Sequence, residues 1–456
     1  MPLLDHTEEQ RAAQESTERV GAWVAGLRWD DVPTHVRARL ELVLLDTLGV
    51  CLVGARQPEQ RRLVEAWRPA TGPAPLVGGG HTTTVEASAW LNATALVRLE
   101  LDEGNKYARG HPAAHGFPAV LALAADIGST GTDTMAALLA AYEVASRFGR
   151  ATRLRLGSHP HGSWGVAGAA AGCARLLGLD AGGAAAAVDA GAGLPVAGHF
   201  ASALDGNPVR DAWVATANVS GLAAARMALA GIARSTGTAA CSLGDMLGSF
   251  DAEVAGDALG ERWDIELGYL KRHASCSFTH PAVDAVLALR PGIPADRLDD
   301  IEEILVETHS LAVGLSRTTW DARLAALFST PFAVAAALVH GHLRPSASTG
   351  AALDDPRVRS LAARVVVRGA EDLDARLPDE RAARITVRGP CGDAVMEVPN
   401  PVGDSAHHPL DADDVCSLLS DLLGAGTPAV DTVREVSAAL AAADDVSALL
   451  RGLADV

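Results

Sequence analysis

The sequence predicts a mainly α protein, in which a large all-helical domain is joined to a smaller α+β domain. Three observations carry this reading. Hydrophobic residues make up 48% of the 456 residues, but aromatics only 4%. The core material is therefore Ala, Leu and Val, small side chains that suit closely packed helices and suffice for a sizeable core. Apolar residues recur at helical spacing through most of the first 255 residues. After about Arg262 the texture changes to short, alternating runs rich in β-branched residues.

Taken in order, residues 8–70 read as helices. VRARLELVLLDTLGVCLVGA (36–55) has apolar positions at helical spacing and ends in Gly49 and Gly54. A looser Gly, Pro and Thr stretch (71–84) precedes the helical VEASAWLNATALVRLEL. Three polar interruptions then separate helical text. DEGNKYARGHPAAHG (102–116) reads as a loop, as does RLRLGSHPHGSWG (153–165) before an Ala-rich helix. FASALDGNPVRDAW (200–213) leads into a helix ending near Gly231. Four runs read as strands: 299–311, 363–373, 383–390 and 393–401. HPAVDAVLALRPG and FSTPFAVAAALVHG lie between them as helices. From about Pro409 the chain returns to helix, which should pack back on the first domain. The division is therefore 1–262 with 404–456 for the helical domain and 263–403 for the α+β domain.

A formal net charge of −18 argues against nucleic acid or an anionic membrane as partner. It leaves room for an anionic substrate, because a local cluster of cations can focus a positive field inside an acidic protein. The six cysteines lie far apart with no CxxC pair, so neither a thiolate zinc site nor an iron–sulfur cluster is expected. The polar, acidic start MPLLDHTEEQ is no signal peptide, and no long uncharged apolar run reads as a membrane span, so the cytoplasm is expected. No P-loop or GxGxxG motif occurs; no nucleotide, flavin, metal or other cofactor is expected.

Four segments could carry chemistry. The first holds Glu100, Asp102 and Glu103, then Lys106, Arg109, His111 and His115. It reads as a solvated polar loop, as an acid–base site, or as a metal set of His111, His115 and Asp102, the last weakened by Pro112. The second, His159-Pro160-His161, stands just before a helix, where a His could bind a carboxylate, move a proton or merely cap. In the third, Arg210 either clamps a carboxylate or forms a surface ion pair with Asp211. The fourth sets Lys271, Arg272 and His273 in a row before Cys276 and His280. Cys276 reads more readily as a buried structural thiol than as a nucleophile.

In this order the four segments resemble the MmgE/PrpD family. The resemblance opens at LLDTLGV (44–50) and continues through LELDEGNKYARGHPAAHG, His159-Pro160-His161-Gly162 and Val209-Arg210-Asp211. It goes on to Lys271, Cys276, His280, Asp284 and Ala285, and ends in PNPVGDSAHHPL (399–410). It departs from the decarboxylase-like pattern at Glu100, Gly104, His161 and Trp164.

The resemblance implies a helical domain built from both chain ends, a smaller lid domain, an active site in the cleft between them, and a homodimer. It implies a cofactor-independent enzyme, either a hydro-lyase acting on a small hydroxy polycarboxylate, or an epimerase, racemase or decarboxylase on a related acid. A non-catalytic binding protein is the remaining alternative. The implied catalytic set is His111, His159, Lys271, Glu100 and Asp102; substrate contacts fall to Arg210, Lys106, His161, His115 and Arg272. These reactions share the weakly acidic proton beside a carboxylate, and cations aimed at the carboxylate stabilise the carbanion left by its removal.

Overall fold

The computed structural model describes residues 7–389 and 392–456. The start of the N-terminal reading (residues 1–6), Cys391 and the end of the 383–390 strand lie outside the described residues.

Small residues set the packing distance of the helical part. The Gly131–Ala151 helix lies against Pro112–Ile127 and Gly165–Leu176, and the latter also meets Ala181–Ala192 and Val209–Leu229. A Cβ on Gly168 would fall 2.5 Å from the Ala141 carbonyl oxygen, and one on Gly172 would fall 2.8 Å from that of Ala137. Only glycine permits so close an approach of two helices. The last helices return to this part. Ala412–Leu423 and Pro428–Ala439 pack on Thr34–Ala55, and Ser447–Arg451 packs on Pro112–Ile127.

One hydrophobic core runs from Val20 to Ala274 and resumes from Val415 to Leu453. A second gathers Ala203 with side chains from Cys276 to Val387. The second core lies under a four-stranded mixed sheet. Val365–Gly369 runs parallel to Glu303–Thr308; Ala383–Arg388 pairs antiparallel with Glu303–Thr308 and with Ala394–Val398. Ile304, Val306, Ile385 and Val387 alternate inward, which is the period-2 pattern read from the sequence. The His280–Leu289 and Thr330–His340 helices pack on this sheet.

Three expectations need correction. The large part is not all-helical: two-residue ribbons pair Gly104–Asn105 with Gly268–Tyr269 and Ser158–His159 with Gly198–His199. Such ribbons are too short to leave an alternating signal. The 102–116 loop ends at His111, because Pro112 starts a helix whose first position needs no N–H donor. Likewise the 200–213 loop gives way to a helix at Val209, so Arg210 stands in a first helical turn. Among the described residues no helix is long and apolar enough to cross a membrane.

Candidate active site

The segment from Glu100 to His111 is tied down by its own backbone. The Asn105 side-chain oxygen accepts from Tyr107 and Ala108 N–H, each at 3.0 Å, and its amide donates to the Asp264 carbonyl at 2.9 Å. The ribbon with Gly268–Tyr269 and a bridge from Tyr269 to Asp404 bring three distant stretches together. Glu100 and Arg109 both adopt left-handed backbone, φ 55° and 58°. Non-glycine residues hold that conformation only where their surroundings enforce it, and such residues cluster at functional sites.

A buried ion cluster follows. Arg210 pairs with Glu100, lies 3.3 Å from Asp211, and donates to the Val97 carbonyl at 2.9 Å. Arg98 meets Asp211 at 2.9 Å. Lys271 Nζ is 3.5 Å from both Glu100 and Asp102. Burial would lower the Lys271 pKa, but Asp102 and Glu100 outweigh it and hold the ammonium above its ordinary value. Lys271 is thus a fixed cation and not a base. Burial would raise Asp102, but His111, Lys271 and Arg210 outweigh it, and the carboxylate is held below its usual range.

Asp102 and the backbone together orient His111. Its Nδ1 lies 2.6 Å from the Glu103 carbonyl oxygen and 3.0 Å from Asp102 Oδ2. A carbonyl can only accept, so Nδ1 carries a hydrogen, and in the neutral ring Nε2 keeps its lone pair. No hydrogen bond to Nε2 forms among the described residues. In His159 the roles reverse. The His161 backbone N–H donates to His159 Nδ1 at 3.1 Å, which leaves the hydrogen on Nε2. Burial, then Arg210 and the neighbouring imidazoles, push His159 well below its ordinary pKa. It is a neutral donor. His161 is neutral for the same leading cause; its ring stands edge-on to His159 and His111, with centroids 4.4 and 5.1 Å away, and its buried Nδ1 has no hydrogen-bond partner.

These groups line a small cavity of about 50 Å³. Its walls include Glu100, His111, His159, His161 and Arg210 from the large core, Phe328 and Arg381 from the other, and Tyr269 and Cys276 between. Four loops singled out in the sequence therefore converge here. Lys271 and Asp102 stand immediately behind the wall, bonded to groups that form it.

Three expected substrate contacts do not face this cavity. His115 is fully buried inside the Pro112–Ile127 helix. Its Nδ1 donates to the His111 carbonyl at 2.7 Å, and its Nε2 accepts from Gly162 N–H at 3.1 Å, so both nitrogens are used. Burial pushes its pKa down to about 4, and it supports the two histidine loops as a neutral strut. Lys106 Nζ donates to the Asp379 carbonyl at 2.6 Å and to Asp404 at 3.0 Å, fastening the two cores together. Arg272 is exposed, in a run of bends that leaves its side chain outside while Lys271 and His273 are buried. The surface reading of Arg210 fails as well, since the residue is 1% exposed. Cys276 lines the cavity, yet burial pushes its thiol up to about 11, which disfavours a thiolate nucleophile. Sequence reasoning missed Arg381, Tyr269, Phe200 and Phe328 and gave Arg109 no role.

Among the described residues, Asp102, His111 and His161 offer donor atoms all within 4.8 Å of one another, a set that could hold a metal ion. His161 replaces His115 in the set weighed from the sequence.

A two-core helical protein with a histidine-lined cavity at the junction defines the class, and the comparisons give the family. The MmgE/PrpD N-terminal domain model matches residues 18–260, and the MmgE/PrpD C-terminal domain model matches residues 273–437. The chain belongs to the MmgE/PrpD family. It is 25% identical over 437 aligned positions to a cis-aconitate decarboxylase of Aspergillus terreus (strain NIH 2624), with 88% of each chain covered. It is 28% identical over 335 positions to a cis-aconitate decarboxylase-like protein of Aspergillus oryzae, covering 67% of this chain and 68% of that one.

Proposed function

We propose that this chain is a lyase that works without a cofactor, moving a proton at the carbon beside a carboxylate of a small polycarboxylate. One observation carries the reading: His111 presents an unengaged Nε2 in the cavity while Asp102 and a backbone carbonyl fix its other nitrogen. That is the arrangement of a positioned general base, worth typically ~10²–10⁴-fold. His159 supplies a neutral Nε2–H to the charge that develops on the substrate carboxylate. Arg210, shared with Glu100 and Asp211, stands on the same wall as a fixed hydrogen-bond donor. Asp102 is a positioning residue, and so is Glu100, which is held by two cations and has no freedom to act as a base.

The expected dehydration fits this machinery, with His111 removing the α-proton and, as the imidazolium, passing it to the departing β-hydroxyl, which leaves as water. The names of the relatives favour a second reading, decarboxylation, in which CO₂ loss generates the carbanion and protonated His111 returns a proton to it. The smaller core acts as the lid, starting after Ala274, where the large core ends, and not at residue 263, and the molecule acts as a cytoplasmic homodimer.

Incubation of the protein in D₂O with citrate, 2-methylcitrate and cis-aconitate, followed by proton NMR, tests the proposal. Deuterium entering the carbon beside a carboxylate, with or without an alkene or CO₂, supports it. A protein that binds these acids and leaves every such proton in place for hours overturns it.

A further inference from the structure

The two cations of the buried ion cluster are already occupied. Arg210 is taken by Glu100 and Asp211, and Lys271 by Glu100 and Asp102. Glu100, the carboxylate on the cavity wall, is used in turn by both. Two other guanidinium groups on the wall are not paired in this way. Arg381 is 6% exposed, and its partners are the Lys106 carbonyl at 2.9 Å and the Ser277 hydroxyl at 3.4 Å. Its guanidinium rests over the Phe278 and Tyr269 rings, 5.1 and 5.7 Å from their centroids. Its backbone N–H donates to Asn400 Oδ1 at 3.0 Å, which fixes the position from which the side chain reaches. Arg109, an exposed residue on left-handed backbone, lines the same cavity. Neither is paired with a carboxylate among the described residues.

A guanidinium nine-tenths buried with no anion is costly unless something pairs it. Every other buried cation of the site has such a partner. We infer that Arg381 and Arg109 form an anion subsite that binds a second carboxylate of the substrate, the one remote from the reacting carbon. The planar fork of Arg381, resting over the two rings, matches a carboxylate with two parallel hydrogen bonds; Arg109 adds a second guanidinium from the exposed rim. This deepens the proposed function and rests on it: it names the side chains that select the second carboxylate, and a monocarboxylate should occupy the site weakly. It also divides the cations by task. Arg210, locked in the ion cluster, acts on the reacting end, and the unpaired pair acts on recognition.

The test is calorimetric titration of the full chain with propane-1,2,3-tricarboxylate, which has no leaving group, and with butanoate. Wild type should bind the tricarboxylate at least ~30-fold more tightly than butanoate. Arg381→Met should lose most of that preference, Arg381→Lys should recover part of it, and Arg109→Gln should weaken the tricarboxylate ~5–10-fold while leaving butanoate unchanged. Arg109 makes no hydrogen bond among the described residues, so its variant remains informative if Arg381→Met does not fold. Equal affinities in Arg109→Gln and Arg381→Lys, or a wild type with no preference for the tricarboxylate, overturn the subsite. Wild type that exchanges α-protons while both variants bind normally sinks the subsite alone. Arginine-dependent binding without any exchange sinks the functional reading alone.

Discussion

Replacing Lys271 by Met isolates the electrostatic core of the site. Glu100, Asp102 and Asp211 face Arg98, Arg210 and Lys271, so three buried acids balance three cations. At 3.5 Å, and with an effective dielectric of ~20, each of the two Lys271 contacts is worth roughly 5 kcal/mol before the cost of desolvating the ammonium. Because that cost offsets much of the gain, the pair contributes little net stability. Removing one partner, however, strands a carboxylate without compensation, which costs about 3–5 kcal/mol. Lys271→Met should therefore lower the urea unfolding midpoint, followed by tryptophan fluorescence at pH 7, by an amount equivalent to ~3–5 kcal/mol. The double variant Lys271→Met/Asp102→Asn restores the charge balance and should regain at least half of the loss, while proton exchange stays absent because His111 has lost its anchor. A Lys271→Met protein within ~0.5 kcal/mol of wild type would refute the charge-balance argument.

Two further predictions concern stability. Burial, followed by the nearby Asp102 charge, pushes the Asp46 pKa up to about 8. Between its ordinary value near 3.8 and 8 the unfolded chain releases this proton first, so Asp46 lowers stability as pH rises through that window. Asp46→Asn should therefore gain on wild type by several kcal/mol between pH 5 and pH 8 in unfolding midpoints; a pH-independent difference would contradict this. Gly165→Ala would place a Cβ 2.4 Å from the His115 ring. It should cost ~1–3 kcal/mol in thermal unfolding and lower turnover by displacing the His111 and Gly162 backbones that His115 joins. Unchanged stability and turnover would remove His115 from the supporting framework.

Much of the fold was legible because it rests on periodicity. Inward alternation of Ile304, Val306, Ile385 and Val387 marks the sheet, and Ala- and Gly-rich helical text marks the tightly packed helices. Helix starts at Pro112 and Val209 were harder, since polar Gly-containing text hid first turns inside apparent loops. Local motifs also brought out Glu100, Asp102, His111, His159, His161 and Arg210, which the structure gathers around one cavity. The same residue types at the same spacing included Lys106, His115 and Arg272, and spacing does not say which way a side chain points. Arg381 was invisible for another reason. It stands among Arg376, Arg384 and Arg388, all of which pair with carboxylates. What distinguishes Arg381 is the missing anion, a property of three-dimensional surroundings that no linear pattern carries.

The central claim is that Nε2 of His111 moves the α-proton. The most direct measurement compares wild type with His111→Gln in D₂O at pH 7, monitoring solvent deuterium in cis-aconitate and citrate by NMR while calorimetry records propane-1,2,3-tricarboxylate binding. The account predicts that exchange falls ~10²–10⁴-fold with tricarboxylate affinity changed less than ~5-fold. Exchange persisting at the wild-type rate in His111→Gln would contradict it.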